Sequence, residues 1–348
     1  MVAVLLPGMF DVLTIGTATR DVFLTSHFFK VLKDPEHLRK IGFSEGAAEC
    51  FAFGGKVEVS DPVFSTGGGA TNTAVTFSRQ GLRTAALVSL GQDENGTAVL
   101  QDLKNDKITP FALFGKKPTG YSTILLSPIG ERTILVSRGA SEELKVPQTI
   151  KTKVKANWIY VVPGAINKAV VSSLVGQFKK QGSQIAMNLS GHYAKFGASS
   201  LSGLLSHIDV LILNRSEAAL LARSNFETEM RVLLRKLANY VRGLIVITDG
   251  AKGSFVTDGT YVFSAGIFAE KKLVDRTGAG DAFGSGFVAG IIRKENRASA
   301  SISEAMRLGS ANATAVVEQI GAKAGILTTS QLNRDSRFKK FSVRQTLL

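Results

Sequence analysis

The chain has 348 residues, enough for one large domain or two ordinary ones around a sizeable core. With 44% hydrophobic and 20% charged residues it is not a disordered chain, and no stretch reaches the ~18 apolar residues of a membrane span. The net charge of +14 fits either nucleic-acid binding or a field that gathers anionic substrates; the Lys and Arg are scattered, with a modest cluster only at Arg334, Arg337, Lys339, Lys340 and Arg344, so nucleic acid is not expected as the main partner.

In chain order, Met1 to Phe10 is apolar but lacks a basic flank, so it reads as the lead-in to a strand and not as a signal peptide. The run Val12-Leu13-Thr14-Ile15 ends at Gly16. Ala70 to Gln80 reads as a helix closed by Gly81, and Thr84 to Leu90 as a strand. Further strands are expected at Asn157–Val162, Ile185–Leu189, Asp209–Leu213 and Leu244–Thr248, with segments of helical length between them. Ser303 to Glu318 is a late helix. This alternation predicts an α/β fold with a largely parallel sheet. The single cysteine, Cys50, forbids an internal disulfide and suits a reducing, cytoplasmic setting.

Two segments break the rhythm. Val22 to Phe64 is rich in phenylalanine (Phe23, Phe28, Phe29, Phe51, Phe53 and Phe64 among them), and Thr119 to Arg138 reads as strand (Tyr121–Leu126), turn (Ser127-Pro128-Ile129-Gly130) and strand (Arg132–Val136). They form either a small β-sheet standing over the strand ends as a lid or excursions packed on the core. The tail from Thr328 is polar and basic, with mobile last residues expected.

Four signals carry chemistry. In Asp275-Arg276-Thr277-Gly278-Ala279-Gly280-Asp281, two glycines and an alanine permit a tight turn, and Phe283, Phe287 and Ile291 then mark a helix. The N–H groups of such a helix start bind phosphate. A carboxylate there repels phosphate, so Asp281 either takes the proton of an attacking hydroxyl or caps its helix. Gly67-Gly68-Gly69-Ala70-Thr71-Asn72, again before a helix, lets a ligand approach the backbone beside a side chain that donates and accepts. Asp21, just past the first strand, is either a surface residue or an acceptor for two sugar hydroxyls. Asn214 and Glu217, after the strand ending at Leu213, either hold the water shell of Mg²⁺ or cap a helix. No P-loop is present, and a dinucleotide fingerprint fails because Phe283 stands where its third Gly belongs. The four histidines show no zinc spacing, and no Gly-x-Ser-x-Gly elbow occurs.

In this order the four signals resemble the ribokinase-like carbohydrate kinases, the pfkB family, over roughly Val12 to Ile326. Gly67 to Gly81 is similar to the family's N-terminal signature and Asp275 to Gly290 to its C-terminal one. Thr248-Asp249-Gly250-Ala251-Lys252-Gly253 resembles the segment before the nucleotide site, Asn214-x-x-Glu217 the Mg²⁺-linked motif, and Gly321-Ala322 the late turn near the adenine. The resemblance implies a three-layer α/β/α domain (1–21, 65–112 and 139–330), a β lid (22–64 and 113–138) and a basic tail (331–348). It implies ATP and Mg²⁺ as cofactors and Asp281 as base, with Gly278, Ala279 and Gly280 as the anion hole. It places Asp21, Gly68, Gly69 and Asn72 at the substrate, and Asn188, Asn214, Thr248, Gly250, Gly253 and Asn312 at the nucleotide. Glu217 would act on Mg²⁺ through water, Asp275 and Thr277 would adjoin a monovalent cation such as K⁺, and two copies would pair through the lid.

Four features bear on the substrate. Thr19 stands where many sugar kinases have Asn, and Gly69 where ribokinases have Lys, which disfavours ribose. Asn188-Leu189-Ser190 is more similar to adenosine kinases. Arg138 resembles an arginine that binds a carboxylate in 2-keto-3-deoxygluconate kinases and, with Arg20, points to an anionic substrate. The expected activity is phosphorylation of a sugar-like hydroxyl. A nucleoside kinase and a non-catalytic sugar or nucleotide sensor on the same fold are the alternatives.

Overall fold

The computed structural model describes residues 8–43, 46–127, 132–294 and 299–348. The expected turn at Ser127–Gly130 lies, from position 128 on, outside the described residues, as does most of the Met1–Phe10 lead-in.

In chain order the strands are β1 (Phe10–Gly16), β2 (Thr19–Thr25), β3 (Lys30–Lys33), β4 (Ala47–Cys50), β5 (Val63–Gly67), β6 (Thr84–Leu90), β7 (Thr109–Phe114), β8 (Gly120–Leu126) and β9 (Arg132–Ser137). They continue with β10 (Ala156–Val162), β11 (Gln184–Asn188), β12 (Val210–Asn214), β13 (Leu244–Thr248), β14 (Ser254–Thr257), β15 (Tyr261–Ala265) and β16 (Arg344–Leu347). A ten-stranded sheet runs β16-β15-β14-β13-β12-β11-β10-β1-β6-β7. From β13 across to β7 every neighbouring pair is parallel; β14, β15 and β16 add an antiparallel edge.

The central strands read as near-continuous apolar runs because both faces are covered. Leu211, Leu213, Ile245 and Ile247 pack on one face, against Leu174, Phe178, Leu233 and Leu237. Val210, Ile212, Leu244 and Val246 pack on the other, against Phe283, Phe287 and Met306. The first set of partners comes from helices Lys168–Lys180 and Met230–Ala238, the second from Ala279–Lys294 and Ser299–Val317. The result is the expected three-layer α/β/α arrangement. The chain leaves β1 to place β6 on one side and β10 on the other, so the parallel strand ends open a crevice there.

A second sheet, β5-β2-β8-β9, stands apart from the first, and β3 pairs only with β4. This sheet already includes Thr19, which pairs with Gly67 and Gly120. Asp21 therefore sits on a strand of the small sheet and not in a loop after β1. The other difference is the C-terminal segment. It is no loose tail: Leu332 and Phe338 are buried, and Arg344–Leu347 pairs with β15 as the edge of the large sheet. Its basic residues had masked the apolar positions Leu332, Phe338, Phe341 and Val343, all packed on the second core face.

Candidate active site

The turn before helix Ala279–Lys294 is built around the buried Asp275. One of its carboxylate oxygens accepts from the backbone N–H and hydroxyl of Thr277 (2.8 and 2.6 Å), and the other from the N–H of Gly321 (3.0 Å). Gly278 has φ +79°, and a Cβ there would lie 2.4 Å from that of Ala322, so only glycine fits. The helix start thus presents its N–H groups to the crevice.

Asp281 lies in the first turn of that helix. Its two oxygens accept separately from the amides of Asn72 (3.0 Å) and Asn188 (3.1 Å). Burial pushes its carboxyl up to about 6, against the pull of those two amides. A carboxylate in that range is ionised near neutral pH yet basic enough to accept a proton. Asn72 comes from helix Gly69–Arg79, and its side-chain oxygen is buried without a partner among the described residues. The glycines before it have steric work. A Cβ on Gly67 would meet Asp21 Oδ2 at 1.9 Å, one on Gly68 would meet Thr17 O at 2.5 Å, and one on Gly69 would meet Val162 Cγ1 at 2.1 Å.

Asp21 is 6% exposed and accepts from the hydroxyl of Thr19 at 2.8 Å. Burial raises its pKa, while the Thr19 and Ser122 hydroxyls, Lys323 and Arg20 favour the charged form. Thr19 thus spends its hydroxyl on Asp21. Arg20 stacks over Phe64 and donates to Ser65 O, so its charge is held beside Phe64 and Ser65.

Asn214 and Glu217 form a reciprocal capping box: each side chain accepts from the other's backbone N–H at 2.9 Å. The capping alternative is therefore real, and Glu217 also lines the same cleft as Asp281. Burial, with the Asp281 charge adding to it, raises Glu217 to about 7. That cleft, about 300 Å³, is also lined by Arg132, Asn188, Arg276, Gly278 and Gly280. A second, more apolar cavity of about 290 Å³ shares Thr248, Arg276, Ala279 and Gly280 with it. Gly250, Gly253, Phe268, Phe283, Ala313 and Val317 line this second space.

Of the expected residues, Asp21, Gly68, Gly69, Asn72, Asp275, Thr277, Arg138 and Asn312 line neither cavity. Asn312 is fully buried: its amide donates to Thr76 and Ala282 O, and its oxygen accepts from Leu327 N. The face of its helix that does line the cavity is Ser310, Ala313, Thr314 and Val317, a matter of helical phase that periodicity could have found. Arg138 is 47% exposed and lies 3.8 Å from Glu142. Arg132, six residues earlier, does line the cleft, as Arg276 does, and the Nε of Arg132 has no partner among the described residues. The sequence reading passed over it as one more polar residue of a strand.

The sequence matches the pfkB family of carbohydrate kinases over residues 40–329. The chain belongs to that family. It is 25% identical over 253 residues to an uncharacterized sugar kinase of Archaeoglobus fulgidus, covering 72% of this chain and 97% of that one. It is 26% identical over 273 residues to a ribokinase of Haemophilus influenzae, covering 76% and 85%. The fold superposes on the adenosine kinase of Sinorhizobium meliloti with a TM-score of 0.74 at 24% identity, covering 93% of this chain and 99% of that one. As a pfkB kinase the chain is a phosphotransferase acting on hydroxyl groups, with a sugar or nucleoside as acceptor class. Kinases of this family use ATP and Mg²⁺. No helix among the described residues is long and apolar enough to cross a membrane.

Proposed function

We propose that the chain transfers the γ-phosphoryl group of ATP to a hydroxyl of a sugar or nucleoside, with Asp281 as base. The observation that carries this reading is the setting of Asp281: a carboxyl in the first turn of a helix, gripped by the amides of Asn72 and Asn188, just after a Gly278 that admits no side chain. As the acceptor oxygen bonds to phosphorus and the bond to the ADP oxygen breaks, Asp281 takes the hydroxyl proton. In this reading the N–H groups of Gly278, Ala279 and Gly280 face the negative charge on the moving group, that of Ala279 giving up a long bond to Arg276 O (3.3 Å). Asn72 and Asn188 hold the base in place.

The nucleotide base goes to the apolar cavity beside Thr248, Gly250 and Gly253, and the phosphates to the cleft of Asn188, Asn214 and Arg132. No group of three or more acidic, His or Cys side chains among the described residues could hold a metal ion. That suits Mg²⁺, which keeps much of its water and leans on phosphates; Glu217 would hold that shell, and the ion would neutralise phosphate charge. Asp275 is a buried carboxylate in no ion pair among the described residues, and with Thr277 it suits a monovalent cation such as K⁺. Asp21, Gly68, Gly69 and Asn72 form the acceptor wall. The sheet β5-β2-β8-β9 closes over them as a lid and excludes water. Its apolar Phe64, Ile134, Leu135 and Val136 are exposed, which supports pairing of two copies through it, measurable by sedimentation.

The test is ADP release from ATP and Mg²⁺ across pentoses, hexoses, nucleosides and sugar acids, with and without K⁺. Turnover that vanishes in Asp281→Asn is expected, and competition between sugars and nucleosides then ranks the acceptors. Nucleotide binding without turnover on any acceptor would overturn the reading.

A further inference from the structure

We propose that Lys323 is a positioning residue that ties the acceptor wall to the anion-hole turn; this rests on the reading of Asp21, Gly68 and Gly69 as acceptor-binding groups. Lys323 is 7% exposed. Its ammonium donates to the hydroxyl of Thr66 and, at 3.2 Å, to Asp102 Oδ2. Thr66 donates to the same carboxylate oxygen at 2.6 Å. Thr66 belongs to β5 and immediately precedes Gly67 and Gly68, while Asp102 belongs to helix Glu94–Asn105.

The backbone around Lys323 serves the other half of the site. Two residues before it, the N–H of Gly321 caps Asp275, and Ala322 packs under Gly278. Arg79 pins the same loop by donating to Lys323 O (3.1 Å) and Ile326 O (2.9 Å) while pairing with Asp106. One side chain therefore joins the turn that receives the phosphoryl group to the strand that leads into the acceptor glycines. The groups facing Asp21 are the Thr19 and Ser122 hydroxyls, Arg20 and Lys323; those facing Lys323 are Asp102, Asp106 and Asp21.

Packing alone does not account for a lysine here. A buried ion pair is weak support for a fold, because an apolar side chain of similar size packs without losing hydration. What the ammonium adds is a fixed direction for Thr66 and a positive charge behind Asp21. Burial works against ionisation of Asp21, and Lys323 opposes that.

The test uses Lys323→Met, which keeps most of the stem and removes the charge, and Thr66→Val, which removes one hydroxyl from the lid side of the link. The wild type is assayed first against its best acceptor. In Lys323→Met the acceptor KM should rise about tenfold, the usual worth of one hydrogen bond from a charged group. Its acid-side rise should move to higher pH as Asp21 protonates more readily, and ADP affinity should stay within about twofold, since Lys323 lines neither cavity. Thr66→Val should raise acceptor KM in the same direction and leave the pH profile in place. A fall in Tm alone, with acceptor KM and its pH dependence unchanged per folded molecule, overturns the proposal. If Lys323→Met does not fold, unchanged acceptor KM in Thr66→Val overturns it. A wild type that turns over no acceptor would defeat the kinase reading and this inference with it; an active wild type with unaltered variants defeats only this one.

Discussion

The side-chain amide of Asn72 donates to Asp281 at 3.0 Å across 209 positions of sequence, so the first glycine signature physically holds the carboxylate of the second. Asn188 holds the other oxygen of the same carboxylate from β11. Three elements thus converge on one carboxyl, and each was visible in the sequence only as an isolated motif.

Asp281→Asn should reduce kcat by about 10²–10⁴-fold, the usual worth of a general base. The substitution adds a donor where Asn72 and Asn188 already donate. Asn72 can absorb this by turning its amide, because its oxygen has no partner to lose. Calorimetry should therefore find nucleotide affinity close to that of the wild type. Turnover within tenfold of wild type would remove Asp281 from the chemistry.

The rate should fall on the acid side as Asp281 takes up a proton. With Asp281 near 6, Glu217 near 7, and the charge of one raising the other, kcat/KM should decline below about pH 7 through two overlapping steps that belong to the pair. Glu217→Gln should leave a single, lower step. A profile flat down to pH 5 would contradict this arrangement.

The same carboxyl predicts a stability trend. A carboxyl whose folded pKa exceeds its unfolded value helps the fold below the unfolded value, about 4, and loses that help as pH rises through about 6. Relative to wild type, Asp281→Asn should thus gain about 1–3 kcal/mol between pH 4 and pH 8. Thermal melts of both proteins across that range give the answer. A constant difference would mean that Asp281 is not held at a cost.

The layered fold was legible because parallel strands covered on both faces leave unmistakable apolar runs, as in Leu244–Thr248. The anion-hole turn was legible because a left-handed Gly278 and a helix start have a compositional signature. Asn312 turns inward to Thr76 and Leu327, while Ser310, Ala313, Thr314 and Val317 of the same helix face the cavity, a phase that only a count of helical spacing separates. Arg138 and Arg132 lie on one strand and its end, and only the placement of β9 over the cleft separates their roles. The closing strand β16 was hidden because edge pairing is a backbone property, and its side chains are mostly exposed.

Gly69 should tolerate no side chain unless Val162 yields. A Cβ at 69 falls 2.1 Å from Val162 Cγ1, so Gly69→Ala alone should cost about 1–3 kcal/mol through overpacking. Val162→Gly, which also removes the Val162 Cβ that would lie at 2.6 Å, should recover part of that loss, giving a coupling of about 1 kcal/mol or more in a double-mutant cycle. The same clash bears on a lysine at this position: Gly69→Lys should be accepted only in the Val162→Gly background. Independent, additive effects would show that the contact is not the constraint.

Arg132 and Arg138 should respond in opposite ways to substitution. Arg132 projects from β9 into the cleft with Asp281, Gly278 and Gly280, and its Nε has no partner among the described residues. A guanidinium there can meet phosphate oxygens from the lid side, as planar donors do elsewhere. Arg132→Ala should lower kcat about 10–100-fold, a modest share of what one well-placed donor contributes to charge stabilisation. Arg138→Ala should be nearly silent on neutral acceptors, because its charge is already spent near Glu142 at the surface. Steady-state kinetics on the best neutral acceptor, with a sugar acid alongside, separates the cases. If Arg138→Ala were the damaging change, the acceptor would have to reach past the lid strand to Glu142, and the cleft would no longer be where the two substrates meet.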